Sequence, residues 1–435
     1  MDADVIVVGA GAAGLAAARA LAETSARAIV LEARDRAGGR VLSRTLASLD
    51  VPVDLGAEFV HGDAPETSAY LREAGLAKVE TGDESWARDA RGTLALSEDD
   101  FTSVDIFERV RSLDHDESVD TFLRRFDNDP HLRGETVRAR AFVEGFEAAD
   151  TTRASARAIA DELASGTDAT SSRPVGTYAP LFAHLEARCA NAGVDVRLGT
   201  HVERIAWERG RVTVETRDAT GARSTLVARC AIVTVSVGVL REEGGGITFV
   251  PPLPREKRNA LEGIEMGHAV RVALAFRTPF WERIDGGRYR DAAFFRGDLG
   301  SFDAFWTQLP IRGRSIVAWA GGPRATKLGR LSNAERIALA LDAFGDLLSQ
   351  RELARREFEG GETHDWSRDP YARGAYSYVA TGADESRASL GAPLDDTVFF
   401  AGEATATDGQ CGTVSGAFAT GLRAAREAAT AMVPR

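Results

Sequence analysis

The chain of 435 residues is longer than a typical domain, so we expect two or three structural units. Hydrophobic residues make up 44% of it and charged residues 27%, a balance typical of soluble globular proteins. The net charge of −12 would repel phosphate backbones, which argues against sequence-independent binding of nucleic acids. We expect no membrane association, because the apolar stretch at residues 5–18 is too short to span a bilayer, and no signal peptide, because acidic residues precede it.

Cysteine, histidine and lysine usage narrows the possibilities further. The three cysteines, Cys189, Cys230 and Cys411, are far apart and form no CxxC pair, and the seven histidines lack zinc-type spacing. We therefore expect no disulfide framework, no metal site and a reducing, cytoplasmic location. Only three of the 53 basic residues are lysines, so an arginine in a candidate site has to be weighed against a general preference for arginine.

The first predicted element is a βαβ unit over residues 2–32. Residues 5–8 form a continuous β-branched run, which is typical of a strand buried on both faces of a parallel sheet. A glycine-rich turn follows at residues 9–14, then a helix of small residues at 15–22 and a second strand at 28–32.

The rest of the chain alternates between helical and strand patterns. Residues 62–173 are mostly polar with a helical pattern, and a proline cluster at residues 251–254 indicates a boundary. The other predicted elements are a helix at 178–190, a strand at 194–198, an antiparallel layer at 202–205, 212–216 and 225–227, a buried strand at 231–235, strands of a second sheet at 271–276 and 315–319, a helix at 331–348, a buried strand at 398–402 and a closing helix at 415–429.

These elements predict an α/β fold, α+β overall, with a Rossmann-like FAD- or NAD(P)-binding domain and a substrate-binding domain of mixed sheet plus helices. The nucleotide-binding domain is predicted to be discontinuous and to comprise residues 1–61, 174–250 and 372–435. The substrate-binding domain is predicted to comprise residues 62–173 and 251–371.

The residues at 9–14 form a GxGxxG motif directly after a strand and at the start of a helix. Gly9 permits the tight turn, Gly11 lets a pyrophosphate approach the backbone, and Gly14 lets helix and strand pack closely. The helix N-terminus then faces the phosphates. Glu32, at the end of the second strand, is placed to accept hydrogen bonds from ribose hydroxyls and would repel a 2′-phosphate, so NADP is disfavoured.

A second glycine turn helps to distinguish FAD from NAD. Gly38 and Gly39 are followed by Arg40, and a second close backbone approach together with a guanidinium suits the extended pyrophosphate of FAD. The alternative is a surface loop with an exposed arginine.

Five motifs occur in order along almost the whole chain. They are the glycine turns at 9–14 and 38–40, the segment VDLGAEFVHG at 53–62, the runs at 202–205 and 233–240, the segment WSRDPYARGAY at 366–376, and the runs at 400–405 and 412–417. Together they resemble the motifs of the flavin-dependent amine oxidases, the family of monoamine oxidases, polyamine oxidases and flavin histone demethylases. The motifs are specific for the family and much less specific for a substrate.

The resemblance implies which residues bind FAD. Thr413 and Val414 are expected to present backbone amides at a helix start to the flavin pyrimidine, where they would stabilise the anionic reduced flavin. Glu403 is expected to accept a hydrogen bond from the ribityl or pyrophosphate region, and Val202 to contact adenine through its backbone. The full set of cofactor-binding residues implied by the resemblance is Gly9, Gly11, Ala13, Gly14, Glu32, Ala33, Arg34, Gly39, Arg40, Gly56, Ala57, Glu58, Val202, Trp366, Gly402, Glu403, Thr413 and Val414.

Two departures from the family concern covalent attachment and the aromatic cage. Monoamine oxidases attach FAD through a cysteine at the position of Ala375, so FAD is expected to bind noncovalently here. They also place two aromatic residues beside the amine; Tyr376 matches the first, whereas Thr413 occupies the second and leaves the cage half open. Cys411 is expected to be a buried structural thiol.

Three further side chains have two interpretations each. His61 lies where polyamine oxidases often carry a histidine, and it either orients an amine or a water, or is a hydrogen-bonded residue outside the reacting centre. Glu58 and Glu144 either bind distal ammonium groups of a substrate or are surface carboxylates.

Arg271 stands where the family typically has a lysine that holds a water at flavin N5. Arginine keeps its proton and presents a planar fork in place of a point charge. Arg271 is therefore either a charge-preserving replacement in an arginine-rich chain or the sign of altered oxygen reactivity or substrate, and we favour the second interpretation.

The resemblance implies oxidation of a small-molecule amine, with Arg271, Tyr376, His61 and Thr413 as catalytic residues. A hydride would pass from the amine α-carbon to flavin N5, the imine would hydrolyse, and O2 would reoxidise the flavin to give H2O2. The alternatives are a flavin desaturase or porphyrinogen-type oxidoreductase, an amine dehydrogenase with a non-oxygen acceptor, and a catalytically silent FAD-binding scaffold.

Overall fold

The computed structural model describes residues 1–46, 52–88, 92–97, 104–165, 170–242, 246–297 and 300–433. None of the helices in these ranges combines the length and the apolar character needed to cross a membrane. The strands, in chain order, are β1 (Val5–Val8), β2 (Ala28–Leu31), β3 (Ser43–Arg44), β4 (Val53–Asp54), β5 (Val60–His61), β6 (Lys78–Glu80), β7 (Ser85–Arg88), β8 (Leu94–Leu96), β9 (Ser171–Pro174), β10 (Asp195–Arg197), β11 (Thr200–Glu208), β12 (Arg211–Asp218), β13 (Arg223–Ala228), β14 (Cys230–Val233), β15 (Thr248–Val250), β16 (Ile264–Met266), β17 (Ala269–Phe276), β18 (Phe294–Arg296), β19 (Ala304–Trp306), β20 (Ser315–Gly321), β21 (Phe358–Asp365), β22 (Ser377–Val379) and β23 (Val398–Phe400).

The α-helices range from one turn to the long closing helix. They are α1 (Ala12–Ala22), α2 (Pro65–Glu73), α3 (Val119–Arg124), α4 (Arg133–Ala141), α5 (Ala156–Ala164), α6 (Ala179–Asn191), α7 (Val237–Leu240), α8 (Arg255–Glu262), α9 (Gly322–Leu328), α10 (Asn333–Leu347), α11 (Arg351–Glu357), α12 (Ser386–Gly391) and α13 (Val414–Met432). A π-helix at Phe142–Phe146 directly continues α4.

The centre of the nucleotide-binding half is a parallel sheet in the order β10-β2-β1-β14-β23. Every residue of strands β2, β1, β14 and β23 is buried, as expected for apolar runs covered on both faces. The predicted βαβ unit is confirmed, but α1 begins at Ala12 and not at the predicted Leu15, because the alanines after the Gly11 N-cap favour helix.

Alternate residues of β1 point to two different layers. Val5 and Val7 pack with α1, α6 and α13, where Leu15, Leu185 and Phe418 belong to the same apolar cluster. Ile6 and Val8 pack on the other side against the antiparallel strands β11, β12 and β13. The predicted antiparallel layer is therefore confirmed, and it covers the second face of the parallel sheet.

The second large sheet is mixed, in the order β21-β17-β20-β19-β18-β7-β8. The β7–β18 pair is parallel and the other neighbours are antiparallel. Strand β17 is buried throughout. Val272 and Leu274 face the cluster that includes α10, whereas Ala273 and Ala275 face Trp366 and the segment around β4. The second sheet therefore meets the nucleotide-binding half along one face of β17.

Residues 62–173, predicted to be mostly polar with a helical pattern, contain strands as well as helices. Helices α2 to α5 lie there, but so do β6, β7, β8 and β9. These strands are short and largely polar, and β7 pairs with β18, whereas β6 and β5 both pair with β9. Apart from the β7–β8 pair, their pairing partners are distant in sequence, so local periodicity carries little of the signal.

The two large sheets agree with the predicted division of the chain into two domains. They do not fix where one domain ends and the other begins. All strands of the parallel sheet come from the ranges predicted for the nucleotide-binding domain, and all strands of the mixed sheet come from those predicted for the substrate-binding domain. Two small sheets cross the division, through the pairs β5–β9 and β16–β22. The domain limits themselves stay a prediction.

The close contact of α13 with α1 generates a stability prediction. A Cβ at Gly421 would lie 2.2 Å from the carbonyl oxygen of Ala13, so Gly421→Ala should destabilise the protein by about 1–3 kcal/mol through overpacking. Gly134 in α4 has no atom within 4 Å of such a Cβ, so Gly134→Ala should stabilise by up to about 1 kcal/mol. Urea denaturation of both variants measures the difference, and equal stabilisation by the two alanines would contradict the contact.

Candidate active site

A cavity of about 1260 Å³ runs from the carboxyl ends of β1 and β2 to the mixed sheet. All the residues predicted to bind the cofactor or to take part in catalysis line it, except Gly14. A Cβ at Gly14 would lie 1.9 Å from the carbonyl oxygen of Gly9, so Gly14 serves the predicted close packing of α1 on β1 and not the cavity wall. Sequence segments that are hundreds of residues apart thus meet around one cavity.

One end of the cavity has the geometry of a dinucleotide site. Gly9 has a φ of 106°, which favours glycine, and its N–H donates to the Leu31 carbonyl at 2.8 Å. Gly11 is the N-cap of α1 and supplies no side-chain cap, so the first amides of the helix are left to face the cavity. The Cα of Gly39 lies beside Gly11, so the two glycine turns are in contact. This arrangement suits a pyrophosphate.

Glu32 is held rigidly at the end of β2. The side chain is buried, and its two oxygens accept from the backbone N–H of Ala10 at 2.8 Å and of Arg34 at 2.9 Å. Arg34 in turn donates to Asp369 at 2.6 Å and lies over the ring of Tyr371. Ala33 and Val202 line the same part of the cavity. Each carboxylate oxygen of Glu32 keeps a further lone pair, so the predicted contact with ribose hydroxyls fits.

Arg40 and Glu403 form a buried ion pair beside this end. Arg40 Nη1 donates to Glu403 Oε1 and to the Ala375 carbonyl, both at 2.7 Å, and Ser377 Oγ donates to Glu403 Oε2 at 2.7 Å. Burial raises the pKa of Glu403, but the charge of Arg40 and the Ser377 hydrogen bond lower it by more, so the group stays ionised. Glu403 was predicted to accept from FAD; it lines the cavity and is held there by Arg40 and Ser377, and its contact with the cofactor stays a prediction.

The middle of the cavity is walled by the segment at 56–58 and by Trp366. A Cβ at Gly56 would lie 2.0 Å from the Arg40 carbonyl oxygen and 3.0 Å from the indole of Trp366, so only glycine fits. Trp366 Nε1 donates to the Leu55 carbonyl at 2.9 Å. The backbone of Gly56 and Ala57 therefore forms a narrow wall along which a planar ring system can lie.

Arg271 reaches this wall from β17 and contacts it through its two terminal nitrogens. Its Nη1 donates to the Gly56 carbonyl at 2.7 Å, its Nη2 contacts Glu58, and its guanidinium lies 5.2 Å from the ring centroid of Trp306. Arg173 pairs with the other oxygen of Glu58 at 3.1 Å. Burial lowers the pKa of Arg271 to about 10, which leaves it protonated at neutral pH.

The two interpretations of Glu58 and Glu144 come out differently. Glu58 is 5% exposed and paired with two arginines, so it is neither a surface carboxylate nor a free acceptor for a substrate ammonium. Glu144 is half-buried in the cavity wall and accepts from Thr151 Oγ1 at 3.0 Å. Glu144 therefore keeps the possibility of contacting a substrate, and its interpretation as a surface carboxylate is wrong.

Aromatic side chains surround the other end of the cavity. His61 lies between the rings of Phe59 and Phe146, with centroid distances of 6.0 and 5.6 Å, and Phe59 is 5.5 Å from Trp306. The hydroxyl of Tyr376 donates to the Phe146 carbonyl in the π-helix. Burial lowers the pKa of His61 to about 4, so the imidazole is neutral at neutral pH. This end is suited to an apolar or weakly polar group next to an amine.

The N-terminus of α13 closes the cavity beside Tyr376. Thr413 is its N-cap, and its Oγ1 accepts from the Gly416 N–H at 3.0 Å. Gly412 packs against the Tyr376 ring, where a Cβ would lie 3.5 Å from it. Gly402 and Val414 line the same region. The predicted helix start, with backbone amides directed at the cavity, is thus present.

The expectation for Cys411 is wrong in its location. Its thiol lies in the cavity wall, only partly buried, and Sγ donates to Glu162 Oε1 at 2.8 Å. Burial, with the charge of Glu162, raises the pKa of the thiol well above its ordinary value. The thiol is therefore protonated at neutral pH and a poor nucleophile.

The sequence interpretation missed several cavity-wall residues. Trp306 and Trp319 face the cavity from β19 and β20, and Phe146 comes from the π-helix. Arg173 had no motif at all, because its role depends on a carboxylate that is distant in sequence. Among the described residues no group of three or more His, Cys, Asp or Glu side chains could hold a metal ion.

Comparisons with known proteins agree with this geometry. The model of the family described as flavin containing amine oxidoreductase matches residues 12–429. Polyamine oxidase 4 of Oryza sativa subsp. japonica is 30% identical, over 97% of this chain and 88% of that protein. Lysine-specific histone demethylase 1 homolog 3 of Arabidopsis thaliana is 28% identical, over 97% of this chain but only 29% of that protein. The structure of putrescine oxidase bound to putrescine superposes with a TM-score of 0.80 at 22% identity, over 99% of both chains.

The buried imidazole generates a prediction about acid stability. The pKa of His61 falls from 6.5 to about 4 on folding, so its contribution is present above pH 6.5 and is lost as the pH falls towards 4. One pKa unit corresponds to about 1.4 kcal/mol, so His61→Gln should reduce the loss of stability over this range by up to about 3 kcal/mol. Urea unfolding at a series of pH values measures it.

Two comparisons make this measurement specific. Burial raises the pKa of Asp54 to about 6, so Asp54 favours the folded state at low pH. This effect opposes that of His61 and is present in the wild type and in His61→Gln alike. Replacing the exposed His131 by Gln should leave the pH dependence unchanged. Parallel pH curves for the wild type and His61→Gln would show that the imidazole is not desolvated on folding.

Proposed function

The chain is a member of the flavin-containing amine oxidoreductase family and an oxidoreductase that acts on amines, and from this premise we propose that it binds FAD noncovalently and oxidises a small-molecule amine. The observation that carries the proposal is the single cavity that joins the glycine turns at one end to the aromatic wall at the other. A dinucleotide at the first end would extend its flavin towards the second. Membership of this family argues against a flavin desaturase and against a catalytically silent scaffold.

The dinucleotide half would be held by backbone and by a few charged groups. The amides at the start of α1 and the guanidinium of Arg40 would bind the pyrophosphate, and Glu32 would bind the ribose. Gly9 and Gly56 have no room for a side chain, because a Cβ there would meet Thr234 or Arg40 of the chain itself. When bound, FAD supplies the acceptor for a hydride from the amine α-carbon, and O2 would regenerate it with release of H2O2.

The aromatic end would bind and orient the amine. The rings of Tyr376 and Phe146 exclude water. The hydrogen bond from the Tyr376 hydroxyl to the Phe146 backbone carbonyl fixes the tyrosine ring against one wall. Neutral His61 can accept a hydrogen bond from an amine N–H, and Glu144 can accept one from a polar substituent. The imine product would hydrolyse in water after release. The substrate is therefore proposed to be an amine with an apolar body.

Noncovalent binding is supported by both residues that could have provided a link. Ala375 occupies the attachment position of the monoamine oxidases and contributes only its carbonyl, which accepts from Arg40. Cys411 keeps its proton at neutral pH and is hydrogen-bonded to Glu162. All three cysteines are free, which supports the proposed reducing, cytoplasmic location.

The proposal is tested by mixing FAD-loaded protein with amines under anaerobic conditions and recording the flavin absorbance. The panel contains an arylalkylamine, an alicyclic amine, a diamine, a polyamine and an amino acid. We expect bleaching by at least one amine with an apolar body, followed by recovery of absorbance when air is admitted. Bleaching that only an added dye, and not air, reverses would favour the dehydrogenase alternative. The absence of bleaching by any amine would contradict the proposed function.

Release of the flavin by acid tests the mode of binding. Precipitation of the yellow protein with acid should leave FAD in the supernatant, because the chain presents no activated thiol to the cofactor. Absorbance of the supernatant and of the redissolved pellet measures the two fractions. Cys411→Ser should give the same partition as the wild type. Flavin that stays with the wild-type pellet but leaves the Cys411→Ser pellet would identify a covalent bond.

The aromatic ring of Tyr376 is predicted to matter more than its hydroxyl. Tyr376→Ala should slow reduction of the flavin by saturating amine at least tenfold, about 1.4 kcal/mol of barrier, because the ring orients the amine. Tyr376→Phe keeps the ring and loses only the hydrogen bond to Phe146, so it should stay within about threefold. Stopped-flow absorbance provides both rates. Equal rates in Tyr376→Ala and the wild type would remove Tyr376 from the substrate wall.

A further inference from the structure

Glu58 is a buried carboxylate that the proposed reaction does not use. It is 5% exposed and lies two residues after Gly56 in the cavity wall. Burying a carboxylate costs several kcal/mol unless it is paired. Such a group in the wall next to Gly56 and Ala57 therefore calls for an explanation beyond packing.

The Glu58 carboxylate forms an ion pair with Arg271. Glu58 Oε2 contacts Arg271 Nη2 and accepts from Trp306 Nε1 at 3.1 Å, while Oε1 lies 3.1 Å from Arg173 Nη1. Arg271 is clamped on three sides by Glu58, the Gly56 carbonyl and the Trp306 ring. The guanidinium therefore cannot move into the cavity as an unpaired lysine could.

The charges of the whole cluster balance. Asp54 is also buried and interacts electrostatically with both arginines. Two carboxylates, Asp54 and Glu58, thus face two guanidinium groups, Arg173 and Arg271, and the ionised cluster has no net charge. Within the described residues Arg271 Nε and Arg173 Nε are buried and make no hydrogen bond, so the cluster keeps unsatisfied N–H groups.

We propose that Glu58 cancels the charge of Arg271 at the flavin-side wall and thereby lowers the reduction potential of the bound flavin. A free cation at this wall would favour the anionic reduced flavin over the neutral oxidised one, and a paired cation does so much less. Glu58 is a positioning residue in this scheme: it acts through Arg271. The inference rests on the proposed binding of FAD along Gly56 and Ala57.

The test is the midpoint potential of the bound flavin in the FAD-loaded protein, measured without substrate by equilibration with a reference dye. Glu58→Gln leaves one uncompensated positive charge, so it should shift the reduction equilibrium at least tenfold towards the reduced flavin, about +30 mV for a two-electron couple. Arg271→Gln leaves one negative charge and should shift it in the opposite direction. The double variant restores neutrality and should return to within threefold of the wild type.

Trp306→Phe is the matched control, because it removes the indole hydrogen bond to Glu58 without changing any charge. Its potential should stay within threefold of the wild-type equilibrium. If Glu58→Gln does not fold, Arg271→Gln and the double variant still differ by one charge and should differ at least tenfold. A potential that is the same in all variants, or that shifts equally in Trp306→Phe and Glu58→Gln, would overturn the proposal.

This readout is independent of the amine. A wild-type protein that binds FAD but is bleached by no amine would contradict the proposed function and leave the potentials measurable. Failure of the charge variants to shift the potential would contradict the role of Glu58 and leave amine oxidation untouched.

Discussion

The site depends on one buried electrostatic contact, in which Glu58 and Arg271 join the segment after β4 to strand β17. The pair connects the wall beside the parallel sheet with the mixed sheet. Buried ion pairs contribute little net stability, because desolvation offsets their attraction. The cluster is therefore better explained by the field and shape it imposes on the cavity than by the stability of the fold.

Ion pairs between side chains also occur elsewhere around the cavity. Arg40 is matched by Glu403, Arg34 by Asp369, and Cys411 and Arg387 both contact Glu162. The partners in these three ion pairs come from distant parts of the chain. Ligand binding then requires little rearrangement of the charged groups, since they are already held by protein contacts. At the aromatic end the imidazole is neutral, whereas the guanidinium groups of Arg173 and Arg271 lie over the rings of Phe59 and Trp306.

Much of this architecture could be read from short-range patterns. The strand–turn–helix at residues 5–22, the antiparallel layer of β11 to β13 and the closing helix α13 were predicted close to their observed bounds, because their signals are local: β-branched runs, glycine turns and amphipathic periodicity. Strands β6 to β9 were missed, since β6, β7 and β9 pair with distant segments and β8 is a strand of only three residues. The predicted cofactor residues lie together because they follow strand ends or open a helix.

The sequence by itself determined the family, the glycine cradle and the absence of a cysteine at position 375, since each depends on the identity of residues within a motif. Only the tertiary structure decided what the charged side chains do. It paired Glu58 with Arg271 and Arg173, turned Glu403 towards Arg40, placed Cys411 in the cavity wall and made His61 neutral by burial. A carboxylate, a thiol or an imidazole takes its protonation and its role from the groups that surround it, and those groups come from distant parts of the chain.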